Sequence, residues 1–108
     1  MPAYPRRGEV YFARLDKLRP VIILTVDSLN KYSFDVCVVP VTTKEHAKFS
    51  MRVPLRAGDG GLAHDCWAKC DQVTTLEKDL LQYPALGFLP ADKFDHIQAQ
   101  IKLSLGLL

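Results

Sequence analysis

Residues 17–24 read KLRPVIIL, with Arg19 and Pro20 at the mouth of an aliphatic run. A guanidinium pinned at the start of a buried strand presents a planar fork that suits a phosphate. Its ordinary alternative is a surface salt bridge, with Asp16 the nearest acid. Thr42 and Thr43 close the apolar run VCVVPV. A hydroxyl there can donate to a phosphoryl oxygen or simply cap a turn. In HDCWAKCDQ the period of two puts Cys66, Ala68 and Cys70 on one face and Asp65, Trp67, Lys69 and Asp71 on the other. Trp67 beside Lys69 fits a stacking platform with a phosphate contact, as in proteins that bind single strands. It equally fits a second small core or a dimer seam. His46, four residues past Thr42, belongs to the class that moves protons near neutral pH; His64 and His96 have weaker claims. Asp71 can accept a proton, orient Lys69 or cap a strand. His64–Cys70 lacks a second ligand pair, so neither a metal site nor a cofactor is expected.

These residues need elements to hold them. Gly8–Ala13 carries Val10, Tyr11 and Phe12 and reads as a strand. Pro20–Val26 reads as a buried strand opened by a proline at its first position, and Phe34–Val41 as the next. Asp27–Ser33 is expected to be a turn, on the signal of Asn30. Met51–Leu55 is broken by Pro54 and should lie at an edge. RAGDGG at 56–61 is a turn, Cys66–Val73 a strand, and Thr74–Leu81 a short helix or turn. Pro90 and Asp92 signal a helix start, and Phe94, Ile97, Ile101 and Leu105 then recur at helical spacing. Five strands and a C-terminal amphipathic helix make a mainly β domain, a strongly bent sheet or partly open barrel.

The 108 residues fit one domain, 1–108. No apolar run approaches the ~20 residues of a membrane span, and the N-terminus has no secretory or transit character, so the cytoplasm is the expected compartment. The odd count of three cysteines suggests reduced core thiols. The formal charge is only +2, but residues 1–69 hold eleven basic against seven acidic residues while 70–108 hold three against five. A basic N-terminal portion is compatible with nucleic acid without demanding it.

Taken in order, RRGEVYF, RPVIIL, VCVVPVTT, CDQVTTLEKDLL and the last helix resemble the MazF/PemK (Kid) family of toxin endoribonucleases over nearly the whole chain. The resemblance implies an SH3-like, strongly bent β-barrel, a homodimer and metal-independent cleavage of single-stranded RNA, often mRNA, at a short sequence. The products would be a 2′,3′-cyclic phosphate and a 5′-hydroxyl. A cognate antitoxin would lie across the substrate groove. The arginine of the family's R-P motif falls on Arg19 and its P-x-T threonine on Thr42, with Thr43 alongside. Its basic-x-Asp-Gln segment falls on Lys69, Asp71 and Gln72. Lysine stands where PemK-like members carry arginine, and Cys66 where they carry serine or threonine. LDKL replaces a longer loop with a Gly-His-Glu segment, so no histidine role transfers from there.

Such cleavage uses the RNA's own 2′-hydroxyl. It needs alignment of that group, stabilised charge on the non-bridging oxygens, and proton transfers at both ends. The resemblance makes Arg19 the phosphate clamp and Thr42 the hydroxyl partner, with Thr43, Trp67, Lys69, Asp71 and Gln72 on the RNA; the general base is left open. Two alternatives share the scaffold: a non-catalytic, protein-binding gyrase poison like CcdB, and an inactive SH3-like interaction module.

Overall fold

A computed structural model describes residues 4–44 and 51–107 of the chain. The strands are β1 (Glu9–Arg14), β2 (Leu18–Ile23), β3 (Asp35–Thr42), β4 (Arg52–Leu55), β5 (Cys66–Lys69), β6 (Thr74–Glu77) and β7 (Leu81–Phe88); α1 (Asp27–Tyr32) and α2 (Ala91–Leu105) are the helices. All strand pairs are antiparallel. The hydrogen-bonded path runs β4-β5-β3-β2-β1-β7, with β6 also on β3. The expected bent sheet is therefore present, with seven strands among the described residues rather than five. Its ladder does not close, since β4 and β7 stand at the two ends of the path.

β3 is the element that bends the sheet. Its first half pairs with β6, from Asp35↔Glu77 to Val38↔Thr74. Its last residues pair with β5 instead, Val41↔Ala68 and Thr42↔Trp67. Two cores result. Val10, Ile22, Val39 and Val41 pack with β4, β5 and α2 on one side. Tyr11, Val21, Ile23, Val36 and Val38 pack with Leu76 and Leu81 on the other. A sheet covered on both faces needs unbroken apolar strands, which is why VIIL and VCVVPV do not alternate. Each fully buried valine or isoleucine there contributes about 1.5–3 kcal/mol. β4 and β5 do alternate: Val53, Leu55, Cys66 and Ala68 are buried, while Arg52, Pro54, Trp67 and Lys69 face outward.

Three expectations change. Asp27–Tyr32 is a helix, not a turn: Asn30 is buried, and its amide donates to the Thr25 carbonyl at 2.7 Å. The turn signal of asparagine was spent on a packing contact. Of the span Thr74–Leu81, Thr74–Glu77 is strand β6, because its β-branched threonines complete the edge of β3; the expected turn is confined to the 3₁₀ segment Lys78–Leu80, and Leu81 opens β7. β7 was not foreseen, since Pro84 and Gly87 break its pattern; the irregularity is absorbed by a register shift between Val10 and Phe12 on β1.

The open side is bridged by backbone. The 3₁₀ turn Asp59–Gly61 lies against β7, where a Cβ on Gly61 would meet the Leu86 carbonyl oxygen at 2.2 Å and one on Gly87 would meet Gly60 at 3.0 Å. α2 covers the barrel's end through buried Ile97 and partly buried Phe94 and Ile101. The Arg7 guanidinium ties it down, hydrogen-bonding the Leu24 carbonyl and Gln98 and lying 4.9 Å over the Phe94 ring. Leu105, the last member of the expected stripe, is 56% exposed and leaves that core. Cys66 and Cys70 are buried, whereas Cys37 is only half-buried and touches the Thr75 hydroxyl at 3.5 Å, so it is not a core thiol. No described helix is long and apolar enough to cross a membrane.

Candidate active site

The site opens where the sheet splits. β2 and β3 pair through Ile23↔Val38, Ile22↔Val39 and Val21↔Pro40, and there their ladder ends. Two further steps in that register would set Arg19 opposite Thr42. Instead β2 stays with β1, placing Arg19 against Ala13, and β3 leaves to join β5. Pro20 and Pro40 sit at the fork. The Leu24 N–H donates to the Cys37 carbonyl, so every second residue of β2, Ile22 and then Pro20, turns its backbone toward β3. Pro20 has no N–H to offer there, and splitting the sheet at this point sacrifices fewer backbone hydrogen bonds.

A cleft of about 630 Å³ fills the fork. Arg19 and Thr42 both line it, together with Thr43, Lys69, Cys66 and His64. Lys17, Lys44 and Arg52 add to its wall, so five basic side chains converge on one cavity. Apolar floor comes from Phe12, Leu62 and Leu86. Among the described residues no group of three or more His, Cys, Asp or Glu side chains is placed to hold a metal ion.

Arg19 is oriented by Asp16. Nε donates to Oδ1 at 2.9 Å and Nη2 to Oδ2 at 3.1 Å. The Arg19 hydrogen bonds and then the Lys17 backbone N–H hold the Asp16 carboxyl down, from 3.8 to about 2. The Arg19 guanidinium is raised in turn by the same contact. With the Asp16 side chain 70% exposed, water screens this pair and it adds little stability; its effect is directional. Arg52 and Lys69 are direct partners across β4 and β5. Burial, then Arg52 and then Arg19, pull the Lys69 ammonium below its ordinary value. Cations repelling one another in a concave, partly desolvated wall make a receptor for an anion. Thr42 Oγ1 accepts the Lys44 backbone N–H at 3.1 Å, which leaves its O–H free to donate. The Cys66 thiol is pushed up to about 11, first by burial and then by Asp65.

The sequence and the fold match those of known proteins. The profile of PemK-like, MazF-like toxins of type II toxin–antitoxin systems matches residues 6–105. The chain belongs to that family. Endoribonuclease MazF of Staphylococcus saprophyticus is 33% identical over 94% of this chain and 92% of its own. The Mycobacterium tuberculosis toxin MazF-mt6 superposes with a TM-score of 0.83 at 29% identity, covering 93% of this chain and 98% of that one. A mycobacterial endoribonuclease solved with its cognate antitoxin gives a TM-score of 0.81 at 28% identity, over 96% and 95% of the two chains.

The seven residues singled out from the sequence of this MazF-like chain fall into two groups. Arg19, Thr42, Thr43 and Lys69 line the cleft. Trp67, Asp71 and Gln72 do not. Trp67 stands on the outer face of β5 between Thr42 on β3 and Pro54 on β4, so it flanks the cleft. Asp71 and Gln72 are exposed in the turn after β5, where the Gln72 N–H donates to the Lys69 carbonyl at 3.0 Å. His46 lies outside the described residues, and His96 is exposed on α2. Lys17, Lys44 and Arg52 were missed. The alternation of Arg52 with buried Val53 and Leu55 carried its outward direction, but only the β4–β5 pairing reveals that it faces Lys69.

Proposed function

We propose that the cleft is the catalytic site of a sequence-specific endoribonuclease, the toxin of a type II toxin–antitoxin pair. It cuts single-stranded RNA without a metal ion. The 2′-hydroxyl attacks the adjacent phosphorus, giving a 2′,3′-cyclic phosphate and a 5′-hydroxyl. The observation that carries this reading is the convergence of Arg19 and Thr42, from the parted ends of β2 and β3, on one cavity walled by four further cations. The names of the related proteins support it, as the Staphylococcus saprophyticus relative and the mycobacterial neighbour are both called endoribonucleases.

Arg19 neutralises the charge that grows on the phosphoryl oxygens, and Asp16 keeps its fork aimed. Thr42 donates its O–H to the same oxygens, with Thr43 beside it. Arg52, Lys69, Lys17 and Lys44 hold neighbouring phosphates. Trp67 stacks a base at the cleft's flank, and Asp71 and Gln72 contact RNA beyond it. A cognate antitoxin competes for the same groove, and the toxin acts in the cytoplasm as a homodimer. Exposed apolar side chains on α1 and at the end of α2, among them Leu29, Tyr32, Leu103 and Leu105, are available to such an interface.

The test is incubation of purified protein with single-stranded RNA in excess EDTA. Cyclic-phosphate ends are expected, and Arg19→Ala lowers the rate about 10²–10³-fold while the chain stays folded. A folded Arg19→Ala protein cutting as fast as the parent defeats the assignment. RNA left intact alongside a stalled topoisomerase points to a gyrase poison instead, and inertness in both assays to a binding module.

A further inference from the structure

We propose that His64 is the general base of the cleft, taking the proton of the attacking 2′-hydroxyl. The inference rests on the endoribonuclease reading of the cleft. His64 is exposed and lines the same cavity as Arg19 and Thr42. Its loop is short and anchored on both sides. Leu62, two residues before it, is buried in the core, and Cys66, two after it, is in register with Leu55 on β4. Between them the Asp65 carboxylate accepts the Ala57 N–H at 2.8 Å. The imidazole is thus presented at the cleft by a fixed backbone.

The other described polar groups on the wall are poor proton acceptors at neutral pH. Lys17 and Arg19 reach in from β1–β2, Lys44 from the end of β3, Arg52 from β4 and Lys69 from β5, and all are cations. The Cys66 thiol is buried. Asp16 is committed to Arg19, and Asp65 to Ala57. The hydroxyls of Thr42 and Thr43 are donors to a phosphate, not bases. Imidazole is the side chain that exchanges protons between about pH 5 and 8. In the step, the O2′–H electron pair forms the new bond to phosphorus while the proton passes to the neutral ring. The P–O5′ bond breaks with its electrons on O5′, which takes a proton from water, and the imidazolium returns its own to solvent.

The experiment is a single-turnover pH–rate profile in EDTA. Cut sites are first mapped on a kilobase-length single-stranded transcript, and a short oligonucleotide carrying one site is then the substrate. For the parent, the rate rises tenfold per pH unit on the acid side, as expected for a single base that must lose its proton, and then levels. His64→Gln loses that limb, and its plateau falls about 10²–10⁴-fold with an unchanged melting temperature. His64→Ala regains part of the rate when imidazole is added. A His64→Gln profile with the parent's limb and rate overturns the role of His64 and leaves the nuclease reading standing. A parent chain that cuts no transcript overturns the nuclease reading itself.

Discussion

The Arg19 guanidinium meets the Asp16 carboxylate side-on, through Nε to Oδ1 at 2.9 Å and Nη2 to Oδ2 at 3.1 Å. A guanidinium carries five N–H donors in a rigid plane. The side-on pair occupies one edge, so the end-on edge, Nη1 with the second Nη2 hydrogen, is left for a second acceptor. One salt bridge therefore serves both readings of Arg19 that the sequence allows. It is a surface pair with Asp16, and that pair is what would aim the fork at a phosphate.

Removing the carboxylate separates aim from charge. In Asp16→Ala the cation persists but its side chain is free to wander. RNA affinity should hold or rise, because a negative charge leaves the cleft wall. Single-turnover cleavage should fall about 10- to 100-fold, the scale of an ångström-level misplacement. Equal losses in binding and in rate would mean that Asp16 contacts the RNA itself.

The same pair has a pH signature. The Asp16 carboxyl is depressed to about 2 from an ordinary 3.8. For a depressed acid, the folded state gains from ionisation. That contribution is fully present above the unfolded value and is lost as pH falls through the folded one. Carboxyl NMR should place the Asp16 titration near 2 in the parent and back toward 3.8 in Arg19→Ala. An Asp16 titration unmoved by that substitution would show the pair to be broken in solution.

Lys69 carries the opposite sign. Its charged form is disfavoured by burial and by Arg52 and Arg19. A base depressed in the folded state lowers stability while pH lies below its folded value, and the penalty fades as pH rises through that value toward 10.5. At neutral pH Lys69→Met should therefore raise the melting temperature of the free protein. It should also weaken RNA binding and flatten the plot of log K against log salt by about 0.7, one phosphate contact on a single strand. Thermal melts and salt titrations check both halves. A destabilised Lys69→Met protein with the parent's salt slope would remove Lys69 from the RNA.

How far this was readable from the chain depends on the range of the interaction. Alternation along β5 sorted Cys66, Ala68 and Cys70 from Trp67 and Lys69 correctly, since neighbouring residues on one strand fix that pattern. Apolar continuity marked β2 and β3, and Pro54 marked β4 as an edge strand. Helical spacing marked α2 but placed Leu105 inside, because a period cannot say where the sheet beneath a helix ends. β7 carries no local pattern, as its Pro84 and Gly87 fit only β1's bulge and the glycine turn beside it. The cleft is a still longer-range object. Arg19 and Thr42 were legible through their motifs, whereas Lys17, Lys44 and Arg52 join them only by the convergence of separate loops and strands. Trp67 shares its face of β5 with Lys69 but lies one pair further along, between Thr42 and Pro54, and flanks the cavity, while the turn after β5 carries Asp71 and Gln72 away from it.

The glycine turn against β7 supports the last prediction. Gly61 has φ +81°, in the left-handed region, and a Cβ there would stand 2.2 Å from the Leu86 carbonyl oxygen. Both backbone strands of that contact must shift to admit an alanine. The left-handed strain alone costs about 1–3 kcal/mol. Each kcal/mol lowers the melting temperature of a domain this size by roughly 4–8 °C. Leu62, next to Gly61, belongs to both the core and the cleft floor. Strain alone thus lowers the melting temperature by about 4–24 °C. Gly61→Ala should lose more than that because of the clash with the Leu86 carbonyl, and its remaining folded protein should also cleave more slowly. Gly58→Ala, also at positive φ but with nothing within 4 Å of its Cβ, is the control, and it should lose the strain term only. Equal losses in the two variants would show that the turn does not press on β7 in solution.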